Sequence, residues 1–285
     1  MSAAAGKQSL KVRNVLEGWE DKKPPVIAPH LPNPPFRWLV IAPTSSGKTN
    51  VITQYLTEFA TVDPDGKSGK SIFDRIMIFS PSARSDPHFR YIVQHSATAD
   101  VTELYEEFDL DLIHETVSAP PDGSDSQTLI YVDDFAFDRK SFEAPEMKEL
   151  FFRGRHNRIS CIVSSQSFFA IPANIRTQVS HYSIYRLGRE SELIHMKRDL
   201  TNIDVNSEMI EYLIRDATKK RHEFLFIDCI GRRYFRNFDQ EYSIDGDNVD
   251  SEPEATPKEE EEPDLGRKVI EKVRFEAMVK ANQRS

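Results

Sequence analysis

The sequence predicts an α/β domain: a mostly parallel, doubly wound sheet with helices on both faces and a hairpin at one edge. Three observations predict it. Residues 36–41, 75–79, 128–132 and 160–164 are nearly continuous apolar runs, as in parallel strands buried on both faces. Helical patterns fall between them, over 49–59, around 89–95 and over 145–153. The last two strand-like runs, 223–230 and 234–238, meet at Gly231-Arg232-Arg233, which suits a hairpin. One more strand is expected over 182–185. Folds of this kind bind ligands at the carboxyl ends of their strands, so the residues that follow each run carry the functional argument.

Composition sets the frame for that domain. With 285 residues and 39% hydrophobic side chains, the chain can bury one large core. No apolar run reaches the roughly 18 residues of a membrane-spanning helix, and the first ten residues have no signal-peptide core. Cys161 and Cys229 both sit in apolar, strand-like runs and read as reduced core residues. No pair of cysteines or histidines has the spacing of a structural zinc site.

Four segments are expected. Six of the 17 prolines lie between Pro24 and Pro35, which makes 1–35 an extended arm. Residues 36–244 form the domain. Residues 245–264 hold ten acidic groups and one basic one, an acidic linker without regular structure. Residues 265–285 form a basic helix or tail. The net charge of −9 comes from the linker alone; the rest carries 36 acidic and 36 basic residues. A neutral body can present a basic face, so the acidity of the whole does not exclude a nucleic-acid partner.

The first strand leads into Ala42-Pro-Thr44-Ser45-Ser46-Gly47-Lys48-Thr49 and then an amphipathic helix. Strand, small-residue turn and helix N-terminus together build a phosphate cradle. Backbone N–H groups of residues 44–49 can surround a triphosphate, and the helix dipole adds positive potential. Lys48 supplies a cation for the β and γ phosphates of ATP, and Thr49 a hydroxyl for Mg²⁺. Ala42 stands where the first glycine of such loops usually stands; it is small enough for the turn.

A phosphate loop calls for an acid at the end of a second strand. The run 128–132 leads straight into Asp133 and Asp134. Asp133 is expected to hold the metal through water, and Asp134 to orient and deprotonate the attacking water. A third buried strand ends at Gln166, which can sense the γ-phosphate. These strand ends specify a P-loop NTPase. Phosphoryl transfer also needs cations against the charge of the transferred group. Arg153, Arg155, Arg158 and Arg176 flank the Gln166 strand, so one or two of them are candidates, acting in trans if the nucleotide belongs to a neighbouring subunit.

The segments 42–49, 128–135 and 153–185 resemble the ATPase core of the FtsK–HerA superfamily. They resemble above all its viral branch, the genome-packaging ATPases of poxviruses, other large double-stranded DNA viruses and virophages. Gly154-Arg155-His156 ahead of the Gln166 strand and the Asp133-Asp134 pair carry the likeness, as does the stretch from Pro172 through Arg176. The resemblance implies a homo-oligomeric ring, a hexamer first and a pentamer as the alternative. It implies ATP and Mg²⁺ as cofactors and double-stranded DNA driven into a preformed capsid, with capsid or portal-vertex proteins as partners, at the assembly site in the host cytoplasm or in the virion. By the same resemblance Gln166 is the sensor and Arg155 or Arg176 the finger. Arg139, Lys140, Lys219, Lys220 and Arg221 are candidates for gripping DNA.

Two rival readings remain open on the sequence. The phosphate loop also resembles the first motif of DEAD-like helicases, although the acidic strand ends Asp-Asp-Phe and the chain is short for a second recombinase-like domain. The other rival is a slow-turnover, nucleotide-binding assembly protein.

Overall fold

The computed structural model describes residues 30–62, 69–119, 126–135, 139–201 and 205–244. The arm up to residue 29, the acidic linker and the basic C-terminal segment lie outside the described residues. Among those described, a nine-stranded sheet runs in the order β11-β10-β9-β8-β1-β7-β6-β4-β5. Its parallel part is β8 (His181–Tyr185), β1 (Arg37–Ile41), β7 (Ile159–Ser165), β6 (Thr128–Asp133), β4 (Arg75–Phe79) and β5 (Thr102–Tyr105). Its antiparallel edge is β9 (Phe224–Asp228), β10 (Arg233–Arg236) and β11 (Gln240–Glu241). A short separate pair, β2 (Thr61–Val62) with β3 (Lys70–Ser71), completes the strands.

Each central strand is as apolar as the sequence suggested because each is covered on both faces. All five residues of β1 and β8, and all seven of β7, are buried. Helix α1 (Lys48–Gln54) continues through a π-helical turn, Tyr55–Phe59, and buries Ile52, Tyr55 and Leu56. Tyr55 packs edge-on against Trp38 and Phe36, and its hydroxyl donates to the Pro32 carbonyl at 2.6 Å. The last residues of the expected arm therefore pack on the body; Leu31 is buried with them.

Helices lie where the sequence placed helical patterns around 89–95 and over 145–153, and further helices add to them. Helix α2 (Pro87–Gln94) starts on an Asp86 cap, with Asp86 accepting from the His88 N–H. Helix α3 (Leu110–Ser118) is capped by Asp109. Helices α4 (Arg139–Glu143), α5 (Pro145–Arg153) and α6 (Ala173–Arg176) are followed by α7 (Glu190–Leu200) and α8 (Ser207–Ala217). Cys161 is buried in β7 as expected. Cys229 is exposed, because β9 ends at Asp228 and the chain turns outward there.

Two buried cationic or titratable groups shape the rim where the parallel strands begin. Arg37 is fully buried and pairs with no carboxylate among the described residues; it donates to the carbonyls of Phe36, Leu150, Phe151 and Ile159. It thereby ties the end of α5 to the start of β7. Gly154 is needed in that turn, since a Cβ there would lie 2.6 Å from the Leu150 carbonyl and 2.9 Å from the Arg37 guanidinium. His181 is also buried, stacked on Phe226 with ring centroids 5.8 Å apart and with Nδ1 2.9 Å from the Ser180 hydroxyl.

Burial pushes the His181 imidazole well below its ordinary value, against the pull of Asp228. The unfolded chain takes up that proton more readily, so stability is full above about pH 6.5 and falls as the pH drops below it. His181→Phe keeps a ring against Phe226 and removes the titration. Its urea midpoint is expected to fall less than that of the wild type between about pH 7.5 and about pH 5. Parallel pH profiles for the two proteins would refute this.

Candidate nucleotide site

The rim where β1, β6 and β7 end carries the phosphate loop and both acids. The register explains why: β1 pairs with β7 at Ile41↔Ser165, and β7 with β6 at Ser164↔Asp133. Residues far apart in sequence therefore leave the sheet side by side. The Ala42 N–H donates to the Ser165 carbonyl at 2.9 Å, so Ala42 still behaves as sheet. No left-handed backbone is required there, and alanine is tolerated. The left-handed positions are Ser45 (φ 61°) and Gly47 (φ 101°). At Gly47 only glycine is unstrained. Ser46 turns its hydroxyl onto the Pro43 carbonyl at 2.6 Å and closes the loop from within.

Lys48 and Asp133 form the centre. Lys48 Nζ lies 3.2 Å from Asp133 Oδ1, with the two side chains only 12% and 5% exposed. Asp133 Oδ1 also accepts from the Tyr131 hydroxyl at 3.1 Å and from the Ser164 hydroxyl, and Oδ2 from the Ser80 hydroxyl at 3.2 Å. Burial, and next the Asp133 carboxylate, hold the Tyr131 phenol well above its ordinary value, so it stays a donor. The acid is thus fixed in place by one cation and three hydroxyls.

Asp134 differs from its neighbour. Its φ of 58° swings it out of the strand, a conformation that aspartate tolerates better than most residues. Gln166 Nε2 donates to both Asp134 oxygens, at 3.0 and 2.8 Å, while Gln166 Oε1 accepts from the Thr44 hydroxyl at 3.0 Å. Thr44, Gln166 and Asp134 therefore form one hydrogen-bonded chain across β1, β7 and β6. An open pocket of about 410 Å³ is lined by Thr44, Ser45, Gly47, Lys48, Thr49, Asp133, Asp134 and Gln166.

These groups fit Mg²⁺ bound together with a nucleotide. Among the described residues there is no cluster of three or more histidine, cysteine or acidic side chains. A magnesium ion needs only one or two carboxylates when phosphate and hydroxyl oxygens supply the rest. Thr49 and the two aspartates on this pocket are such a set of hard oxygen donors.

The two candidate finger arginines stand apart from this pocket. Arg155 is exposed in the turn between α5 and β7. That turn lies where β7 begins, at the rim opposite the phosphate loop of its own chain. Arg176 is engaged internally: its guanidinium pairs with Asp199 at 2.6 Å, donates to the Ile171 carbonyl at 2.6 Å and stacks 4.4 Å from the Phe168 ring.

His222 is a pocket residue that no motif announces. It follows the end of α8 at φ 70°, and its Nδ1 lies 2.9 Å from the Ser46 carbonyl. Since a carbonyl only accepts, Nδ1 carries the proton. The ring sits against Gly47, where an added Cβ would come within 3.3 Å of it. Its one sequence signal is position, at the start of a strand that enters the sheet at this rim.

Residues 28–232 match the family model described as Poxvirus A32 protein. The chain belongs to that family. Its members are viral genome-packaging ATPases. No curated protein sequence matches the chain. Among solved structures, the genome packaging NTPase B204 of Sulfolobus turreted icosahedral virus 2 in complex with AMP has 16% identity and a TM-score of 0.52, over 72% of this chain and 98% of that one. The same NTPase in complex with ATP-gammaS has 17% identity and a TM-score of 0.50, over 75% of this chain and 100% of that one. At such identities the likeness concerns the fold, a P-loop NTPase. No helix among the described residues is long and apolar enough to cross a membrane.

Proposed function

We propose that this member of the family is an ATP-driven motor that moves double-stranded DNA into a preformed viral capsid. The observation that carries the reading is the convergence of Lys48, Asp133, Asp134 and Gln166 from three strands on one pocket. Family membership supplies the packaging role, and the AMP and ATP-gammaS complexes of the B204 NTPase support a nucleotide in the pocket.

The residues divide the work. Backbone N–H groups of residues 44–49 and the Lys48 ammonium bind the phosphates. Thr49 and Asp133 would hold Mg²⁺, which neutralises charge on the β and γ phosphates. Asp134 orients the attacking water and takes its proton. Gln166 positions Asp134 and, through Thr44, links it to the loop around the γ-phosphate.

Among the described residues no arginine lines this pocket, and the finger is read as coming from a second copy in a homo-oligomeric ring, hexameric or pentameric. Arg155, exposed on the turn fastened by Arg37, suits that role better than Arg176, whose guanidinium is committed to Asp199. In rings mixed from Lys48→Ala and Arg155→Ala subunits, each variant can complete the other's site, and part of the ATPase activity is expected to return. No recovery in demonstrably mixed rings removes Arg155 from the mechanism.

Lys219, Lys220 and Arg221, exposed on the turn after α8, and Lys140 are the proposed DNA contacts; capsid or portal-vertex proteins are the proposed partners at the host assembly site. ATP hydrolysis is expected to rise when duplex DNA is added. A low rate indifferent to DNA would replace the motor with an assembly protein. Strand displacement on a forked duplex would replace it with a helicase.

A further inference from the structure

The turn between α8 and β9 joins two parts of the molecule. Its tip carries Lys219, Lys220 and Arg221, all exposed, and the next residue, His222, reaches the phosphate loop. Both ends of the turn are anchored. At the α8 end, Asp216 accepts from Lys219 Nζ at 2.6 Å, from the Tyr242 hydroxyl at 2.8 Å and from the Arg236 guanidinium, which ties the helix end to β10. At the β9 end, the Phe224 N–H donates to the Asn237 side chain at 3.3 Å, and the Phe224 carbonyl accepts from the Asn237 N–H at 2.8 Å. The tip is closed on itself: the Glu223 N–H donates to the Lys220 carbonyl and the Lys220 N–H to the Glu223 carboxylate, each at 3.3 Å. A change at the tip is therefore felt at His222.

What His222 holds is a peptide of the phosphate loop. The Ser46–Gly47 peptide is planar and trans, so its N–H points opposite to its C=O. With the Ser46 carbonyl drawn to His222 Nδ1 at 2.9 Å, the Gly47 N–H is turned the other way. Among the described residues that N–H has no acceptor, so it is free to donate to a phosphate oxygen. Without His222 the peptide can rotate, and a carbonyl turned toward phosphate repels it. His222 itself sits at φ 70°, a left-handed conformation that strains a residue with a Cβ. The bond to Ser46 offsets that strain. Docked and released are thus two states of one short turn.

Charge at the tip biases the two states. Lys219 is paired with Asp216, but the side chains of Lys220 and Arg221 have no partner among the described residues. Adjacent like charges in a tight turn repel and favour its opening. Backbone phosphates of a duplex laid on them remove that repulsion. We infer that His222 is a positioning residue that couples DNA to nucleotide: duplex DNA on Lys220 and Arg221 keeps His222 on the Ser46 carbonyl, and so keeps the Gly47 N–H available to the phosphates. This rests on the DNA contacts and the phosphate site proposed above.

Such coupling is reciprocal and is read as a ratio of affinities. Calorimetry of Mg·ATP-γS on the wild type is expected to give a Kd about fivefold or more lower with a short duplex than without it. His222→Gly accepts the left-handed backbone and has no donor, so its ratio is expected to fall to about one. His222→Asn also tolerates that backbone, and its amide can donate in place of Nδ1; it is expected to recover most of the ratio. A histidine that only shapes the pocket predicts another outcome. His222→Gly would then lose affinity equally with and without DNA and keep the wild-type ratio, which overturns the proposal. A wild-type ratio of one overturns it too. Should the glycine variant fail to fold, hydrogen exchange on the wild type decides. Duplex DNA without nucleotide should slow exchange over both 218–223 and 44–49, and bound DNA that leaves 44–49 unprotected overturns the proposal. Failure of the broader reading looks different: the wild type would then bind no ATP-γS, or no DNA.

Discussion

Asp134→Asn is expected to bind ATP about as well as the wild type and to lose turnover by roughly 10²–10⁴, the usual contribution of a positioned general base. The two effects separate because Asp134 is not part of the phosphate cradle. Its carboxylate faces Gln166, which donates to both oxygens, and its φ of 58° holds it clear of the buried Asp133 network. An amide can still accept from Gln166, so the shape of the site is retained while the proton acceptor is removed. Single-turnover hydrolysis alongside equilibrium binding distinguishes the two. Normal hydrolysis by this variant would take away the role given to that carboxylate.

Lys48→Ala should act at the earlier step. The ammonium contributes charge-assisted hydrogen bonds to the phosphates, and losing them costs about 1.5–3 kcal/mol, a Kd raised by roughly 10- to 150-fold. There is a second cost. Lys48 is the cation paired with Asp133, whose side chain is only 5% exposed, and removal leaves that carboxylate with hydroxyl donors alone. Breaking a buried pair from one side is destabilising. The variant is therefore expected to melt below the wild type even without nucleotide, in contrast to Asp134→Asn. ATP affinity equal to the wild type would remove Lys48 from the site.

The contrast between these neighbouring acids was only half visible in the sequence. Two carboxylates after a buried strand are a local pattern and can be read directly. That Asp133 is immobilised by Lys48, Ser80, Tyr131 and Ser164, while Asp134 is held by Gln166, depends on strand order and on one left-handed residue. Helix α8 shows a different case. Asn206 as cap and Ile210, Leu213, Ile214 and Ala217 at helical spacing are a signal in the sequence, and the structure buries those side chains. The arginines illustrate the limit. Arg155 and Arg176 look alike as basic residues near the Gln166 strand, yet one is exposed at the far rim and the other is locked to Asp199. Arg37 sits in an apolar strand run, and its work of fastening the Arg155 turn depends on carbonyls more than 100 residues away.

The sequence by itself determined the strand-then-polar pattern of the central sheet, the phosphate loop, the paired acids and the glutamine. Each is a contiguous segment whose backbone conformation follows from its own residues. Only the tertiary structure decided which strand lies beside which. That order brings Lys48 to Asp133 and sets His222 against the phosphate loop from 176 residues away. The physical reason is that pairing order and register are set by burial of the whole sheet, a sum over contacts that no single segment contains.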